Sequence, residues 1–262
     1  MHFLRALIVL LAVPAFAQQW NSNAGGWNTG YGTVYGSFGM AMATQNIYNT
    51  MQNQMQRSMM RSAMIKKFGL AAVEKAEREA ANGKKSSAPE GLTVTALPPA
   101  PKNSGVFKPG KSTTAKQMAD AIGSTPEEKA AVAALVDATK QAFESQPETQ
   151  QYKNNVAGAL AFFIISNLMI ATESPEPSAE TAQALFQAIS LSLDATPELA
   201  KASAKDKQQL YELLIGFTGL PLAIYTEGKE RDDVAQMKQA KELAAQLIQL
   251  VLKVDPKSIK LQ

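Results

Sequence analysis

Two long apolar runs constrain the fold of this chain more than any other feature of its sequence. Residues 156–171 read VAGALAFFIISNLMIA, and residues 210–225 read LYELLIGFTGLPLAIY. A helix that is apolar on every side has no face for solvent, so it is usually central in a bundle. A membrane span is the alternative, but the first run is short and contains Ser166 and Asn167, and the second contains Glu212. We therefore predict two buried core helices.

The region from residue 113 to residue 262 contains a succession of helix signals. Residues suited to a helix N-cap precede an acceptor side chain by three positions at Thr114, Thr125, Ser145 and Ser203. Pro126 and Pro197 each follow a threonine, where a first helical residue would stand. No strand-like alternation of useful length is present. The fold class predicted is all-α, a helical bundle of about six helices around the two apolar ones.

The same region carries the only resemblance to known proteins that the sequence shows. Residues 154–160 read NNVAGAL and precede Phe162 and Phe163. Together with the apolar pattern around it, this segment resembles an uncharacterised family of exported bacterial helical proteins. The resemblance covers residues 113–262. It implies an envelope location and carries over no activity and no functional residues.

The first residues have the organisation of a secretory signal peptide. Residues 1–5 carry one positive charge, residues 6–16 are apolar, and Ala15 and Ala17 provide the small residues of a cleavage site. We predict a signal peptide over residues 1–17, with cleavage after Ala17. The apolar run is too short for a permanent anchor. The expected location is the periplasm or the medium.

The residue types that are missing exclude many functions. The chain has no cysteine, and its one histidine is His2, inside the predicted signal peptide. Triads that use histidine, cysteine nucleophiles, disulfides, Cys/His zinc sites and haem or iron–sulfur ligation are therefore excluded from the mature chain. No cofactor is predicted. A formal net charge of +3 is too weak to imply a nucleic-acid partner.

A Gly/Asn/aromatic arm is predicted over residues 18–43. The density of glycine argues against a helix, and the aromatic residues argue against an inert linker. We expect a flexible arm that is ordered by contact with another envelope or secreted protein, through Tyr31, Tyr35 and Phe38. A strand added to the edge of a partner's sheet is the alternative.

A Met-rich helix is predicted over residues 44–82. Met51, Met55 and Met59 form one stripe at helical spacing and are candidates for docking on a partner, because methionine suits adaptable apolar surfaces. Weak binding of Cu(I) by the same three thioethers is an alternative. A membrane surface is a second alternative, since residues 18–73 contain no acid. The mixing of charge with methionine disfavours it.

A Pro/Lys-rich linker is predicted over residues 83–112. Its end, from Gly105 to Ser112, matches the letters of a phosphate-binding loop. A phosphate-binding loop needs a buried strand before it, and the prolines of residues 97–101 cannot form a central strand. No nucleotide binding is therefore predicted.

These features favour a non-catalytic interaction or structural protein. One alternative is a bundle that holds an apolar small molecule or a lipid between the two central helices. The other is a hydrolase that works with carboxylates alone, for which Glu212 is the one acid within an apolar helix. The helical region has no tryptophan to stack on a sugar, which disfavours a glycosidase.

Overall fold

A computed structural model describes residues 60–61, 63–82 and 102–261. These residues are helical with connecting loops, and no strand occurs among them. The nearest approach to a sheet within that part of the chain is a single antiparallel bridge between Val106 and Asn155. The predicted all-α class is confirmed.

The Met-rich region is not one uninterrupted helix. Residues 63–68 are helical, Gly69 has a φ of +85°, and α1 (Leu70–Ala81) begins after it. A left-handed φ suits glycine, which has no Cβ to clash. The interruption lets Val73 and Ala76 pack against side chains of residues 64–68. The predicted helix over residues 44–82 therefore needs correction at Gly69, and its part before residue 60 lies outside the described residues.

The region after residue 113 folds into eight α-helices and one short 3-10 helix within the described residues. They are α2 (Thr114–Ile122), α3 (Pro126–Ser145), α4 (Pro147–Gln150), α5 (Val156–Thr172), α6 (Ala179–Asp194), α7 (Pro197–Lys201), α8 (Ala204–Glu230), α9 (Val234–Leu252) and the 3-10 helix (Pro256–Ser258). Helix α8 packs on α2, α3, α5 and α9. Helix α5 also packs on α6 and α9.

The two apolar runs form the buried helices α5 and α8. In α5, 14 of the 17 residues are buried, and Ser166 and Asn167 are fully buried among them. In α8, every residue from 210 to 222 is buried. No helix of the described residues combines the length and the apolar character that a membrane crossing requires.

Two glycines of α8 let the neighbouring helices approach closely. A Cβ on Gly216 would stand 2.5 Å from the sulfur of Met118 in α2. A Cβ on Gly219 would stand 2.2 Å from Oγ1 of Thr139 in α3. Pro221 lies inside α8 and does not end the helix. These glycines therefore set the distances of α2 and α3 from the central helix.

The helix starts agree with the predicted caps at two places and differ at two. The side chain of Thr125 accepts from the Glu128 N–H in a complete capping box, and Ser203 accepts from the Asp206 N–H. Pro126 and Pro197 are first helical residues. The predictions at Thr114 and Ser145 were wrong. Thr114 is already inside α2, and the Ser145 hydroxyl donates to the Ala142 carbonyl at the end of α3.

Residues 102–112, named the strap below, pack against the bundle. The N–H groups of Lys102 and Ser104 donate to the Asp194 carboxylate over 2.5 and 2.7 Å. The Phe107 ring is buried, with its centroid 5.3 Å from that of Tyr211. The predicted linker over residues 83–112 thus ends in a packed segment, and the folded unit begins before residue 113. An apolar side chain that fills a core position compensates for the ordering of an extended segment.

Candidate functional site

A pocket of about 430 Å³ opens between α5 and α6, beside α4. Its size lies within the roughly 300–1,000 Å³ that is common for small-molecule sites. Its lining comes from the end of α3, from α4 and the turn after it, from α5, from the loop before α6 and from α6 itself. The lining residues are Phe143, Glu148, Gln151, Tyr152, Gly158, Ala161, Phe162, Ile165, Glu176, Pro177, Ala179, Glu180, Ala182, Gln183 and Phe186.

The floor of the pocket is apolar and belongs to the core. Ala161, Phe162 and Ile165 of α5 are buried, and their spacing places them on one face of the helix. Phe143 of α3 is fully buried beside them, with its ring centroid 4.8 Å from that of Phe162. The floor therefore offers carbon surface to whatever enters.

One wall of the pocket is an aromatic pair. The rings of Tyr152 and Phe186 have their centroids 4.6 Å apart and are tilted by 45°. The Tyr152 hydroxyl donates to Oε1 of Gln183 over 2.9 Å, which fixes the ring across the gap between the turn and α6. Burial raises the pKa of Tyr152, so its hydroxyl remains a donor at neutral pH.

Gly158 allows this wall to stand directly on α5. A Cβ at Gly158 would lie 2.4 Å from the Tyr152 Cβ and 2.9 Å from the Tyr152 carbonyl oxygen. Any larger residue would therefore push the turn that carries Tyr152 away from the helix. The side chain of Asn155 caps α5 by accepting from the Ala157 N–H over 2.9 Å, which holds the helix start beside that turn.

The mouth of the pocket is acidic. Glu148, Glu176 and Glu180 are among the lining residues, and the lining contains no lysine, arginine or histidine. Glu148 and Glu180 are exposed and lie in the first turns of α4 and α6. Neither of these two forms an ion pair within the described ranges. The helix N-termini stabilise their negative charges.

The position of the pocket differs from the expected one. We expected an apolar ligand between the two central helices, but none of the lining residues belongs to α8. Helices α5 and α8 close on each other with buried side chains, and the pocket lies on the face of α5 that is turned toward α6. The pocket-lining face of α5 could not be predicted from the sequence, because nearly every position of this helix is apolar.

Glu212 belongs to a closed polar network under the strap. It is 2% exposed, and its Oε2 accepts from the Ser112 hydroxyl. Its Oε1 accepts from Nε2 of Gln208 over 3.0 Å and lies 3.5 Å from Nζ of Lys140. Both carboxylate oxygens thus have partners from the chain itself, as a buried charge requires.

A second carboxylate extends this network. The Tyr211 hydroxyl donates to Oε1 of Glu144 over 3.1 Å, and Nζ of Lys153 lies 3.3 Å from the other oxygen. Burial, aided by the charge of Glu144, raises the pKa of Tyr211. The network joins α3, α8 and the turn before α5, so its geometry explains why these elements meet.

The segment from Gly105 to Ser112 does not have the geometry of a phosphate-binding loop. Such a loop directs several backbone N–H groups at one anion. Here the Phe107 N–H donates to the Asn154 carbonyl, and the Gly110 N–H donates to Gln208. The Ser112 hydroxyl faces the Glu212 carboxylate, which would repel a phosphate.

The residues predicted to bind a partner lie outside the described residues. They are Tyr31, Tyr35, Phe38, Met51, Met55 and Met59, the last three being also the Cu(I) candidates. The predicted signal peptide lies outside them as well. Within the described ranges, no three or more side chains of His, Cys, Asp or Glu come together as a metal site would require.

The fold and the site define an all-α protein with a partly open apolar pocket beside a central helix. The chain belongs to DUF6683, a family of unknown function whose sequence profile matches residues 1–262. The predicted membership in an uncharacterised family is confirmed, and it extends over the whole chain instead of residues 113–262 alone. No curated protein and no solved structure matches the chain significantly.

Proposed function

We propose that the protein is an exported, non-catalytic binding protein whose helical bundle holds an apolar molecule in the pocket between α5 and α6. The observation that carries this proposal is the pocket itself, about 430 Å³ in volume with a floor of buried carbon. Small-molecule sites are concave and lined mainly by apolar side chains with a few polar groups, and this pocket has both properties.

The arrangement of the acids supports binding over catalysis. A general acid that works at neutral pH is a carboxyl group held in an apolar environment. Glu148 and Glu180 are exposed at the mouth, and Glu212 is fully engaged by Ser112, Gln208 and Lys140. A sugar would also need polar partners along its length, whereas the floor is aliphatic and aromatic.

Export and a protein partner are the remaining parts of the proposal, and both rest on the sequence. The signal peptide directs the chain to the periplasm or the medium, and the arm over residues 18–43 contacts another envelope or secreted protein. The intact mass of the protein recovered from its producing cells tests the first part. We expect an N-terminus at Gln18; a chain that retains residues 1–17 in the cytoplasm would contradict export.

Titration with a neutral apolar dye, N-phenyl-naphthylamine, tests the pocket. We expect fluorescence enhancement at one site in the unmodified protein, and loss of most of it in Ala161→Leu, which places a larger side chain on the floor. Ala134→Leu is the matched control, because Ala134 is exposed on α3. Ala182→Phe, on the α6 wall, provides a second block if Ala161→Leu disturbs folding.

The outcomes separate clearly. Binding that is lost in both pocket variants and kept in Ala134→Leu supports the proposal. Absence of dye binding in the unmodified protein, or equal binding in all variants, contradicts it. Filling the cavity should also raise thermal stability, by about 0.5–2 kcal/mol in the free energy of unfolding. A higher free energy of unfolding in a folded variant that no longer binds the dye would show that the wild-type pocket is an unfilled cavity.

A further inference from the structure

We propose that the ligand of the α5–α6 pocket carries a positive charge: an apolar chain or ring system that ends in an amine or quaternary ammonium group. This inference rests on the proposed function and names the class of ligand. The cavity accommodates the apolar part of a ligand. The charges at its mouth select among ligands that have the same apolar part but different head groups.

The interior of the pocket accepts only the apolar part of such a ligand. The floor is lined by the buried side chains of Phe143, Phe162 and Ile165, which offer no polar partner. A charged group placed there would lose its hydration without gaining a partner, which is strongly unfavourable. The polar end of the ligand therefore stays at the mouth.

Every charged side chain of the pocket lining is a glutamate. These carboxylates come from α4, from the loop before α6 and from α6 itself, as Glu148, Glu176 and Glu180. The lining has no basic side chain to receive a carboxylate, sulfate or phosphate. An anionic head group at this position would meet repulsion, and a cationic one would meet attraction.

The α6 face of the pocket changes from charged to aromatic in the direction of the interior. Glu180, Gln183 and Phe186 follow one another at intervals of three residues, so they lie along one side of the helix. Over these six residues the helix rises by about 9 Å. A cation near Glu180 would thus stand over an apolar body that contacts the Phe186 ring.

The aromatic wall adds a second attraction for a cation. The Tyr152 ring packs on Phe186, and its hydroxyl is held by Gln183, one turn from Glu180. The face of an aromatic ring attracts ammonium groups. The carboxylates and these two rings line the same pocket, a combination that suits an alkylammonium ligand.

Three amphiphiles with the same tail test the inference. Decyltrimethylammonium, decyl glucoside and decyl sulfate are titrated against the full-length protein, below the concentrations at which they form micelles. We expect the cation to bind most tightly and the sulfate most weakly. Raising the salt concentration should weaken the binding of the cation and leave that of the glucoside unchanged. This measurement requires no variant.

Charge-neutral variants locate the effect. Glu148→Gln combined with Glu180→Gln should lower the affinity for decyltrimethylammonium by about three- to ten-fold, as expected for the loss of two exposed charge pairs. The affinity for decyl glucoside should not change. Glu127→Gln combined with Glu242→Gln is the control, since these exposed acids are absent from the pocket lining. It should change neither affinity.

The failure of this inference is distinguishable from the failure of the proposed function. Equal affinities for the three amphiphiles, or tightest binding of the sulfate, would overturn the cationic preference and leave the apolar pocket standing. Absence of binding by all three would overturn both. A preference for the cation that is undiminished in Glu148→Gln combined with Glu180→Gln would also overturn the inference.

Discussion

Gly110 and Gln208 exchange two hydrogen bonds across the boundary between the strap and α8. The Gly110 N–H donates to Oε1 of Gln208 over 2.7 Å, and Nε2 of Gln208 donates to the Gly110 carbonyl over 3.0 Å. The same amide nitrogen reaches Glu212. One buried side chain thus provides the partners that a strand would otherwise give to this extended backbone. The strap is held in place by side chains of α8.

Gln208→Ala should detach the middle of the strap. It removes both bonds to Gly110 and one partner of the buried Glu212 carboxylate, so we expect a loss of about 1–3 kcal/mol in the free energy of unfolding. Trypsin should then cut faster after the exposed Lys111; the bond after Lys108 is not a tryptic site, because Pro109 follows it. Urea denaturation and a proteolysis time course measure the two effects.

Gln209→Ala is the matched control for this change. Gln209 is next to Gln208 in the sequence. Its side chain donates to Gln117 at the exposed side of α8, where water replaces a lost hydrogen bond. Its loss should stay within about 0.5 kcal/mol. Equal effects of the two substitutions would show that the strap contributes little to stability.

Removing the strap altogether should destabilise the bundle. A fragment of residues 102–262 retains the Phe107 ring on Tyr211, whereas a fragment of residues 113–262 exposes that core position. Full burial of a phenylalanine contributes about 1.5–3 kcal/mol. We expect both fragments to be helical and the shorter one to melt at a lower temperature, which circular dichroism measures. Identical melting would place the boundary of the folded unit at residue 113.

The Asp194 carboxylate makes the attachment of the strap depend on pH. Burial alone would raise the pKa of Asp194, but the hydrogen bonds from Ser104, Lys102 and Asn103 outweigh it, so the pKa lies below the usual value. A depressed pKa contributes stability that is fully present above the unfolded value of about 3.9 and is lost as the pH falls through the folded value. The contribution should therefore begin to decline near about pH 4 and be lost as the pH falls further, through the folded-state pKa.

Asp194→Asn tests this linkage. We expect it to lower the free energy of unfolding by about 1–3 kcal/mol at pH 7, where charged hydrogen bonds are lost, and by less at about pH 3. Asp137→Asn, at an exposed position of α3, is the control. A difference between wild type and Asp194→Asn that is the same at both pH values would contradict the assignment.

Gly219→Ala should destabilise the contact between α8 and α3. Alanine ordinarily favours a helix over glycine by about 0.5–1 kcal/mol. Here its Cβ would lie 2.2 Å from Oγ1 and 3.0 Å from Cβ of Thr139, and such overpacking costs about 1–3 kcal/mol. We expect net destabilisation in urea denaturation. Thr139→Ala in the same chain should recover part of it; strictly additive effects would contradict direct contact.

The helical class and several helix starts could be predicted because their causes are local. The apolar runs are long and have no polar face, which favours a central helix, and the capping box at Thr125 uses atoms three residues apart. The caps at Thr114 and Ser145 matched the same letters and failed. Ser145 lies at the end of α3, where its hydroxyl binds a carbonyl instead. A threonine or serine can cap a helix only where the helix begins, and the sequence pattern alone does not fix where each helix begins and ends.

The strap could not be predicted as part of the bundle, because its partners are remote in the chain. The prolines and lysines before Ser112 are typical of a linker, and Gln208 and Glu212 follow some hundred positions later. Only the packed structure brings them together. The letters of the phosphate-loop pattern likewise gave no information on which backbone N–H groups are free.

What the sequence by itself determined is which side-chain chemistry is missing: the chain has no thiolate, and no imidazole after His2. Which carbon surface stays open was decided by the tertiary structure alone. Helix α5 is apolar all round; α8 and α9 pack on it, while its residues Ala161, Phe162 and Ile165 line the pocket toward α6. Apolar character is a property of each residue, but a cavity is a property of their arrangement.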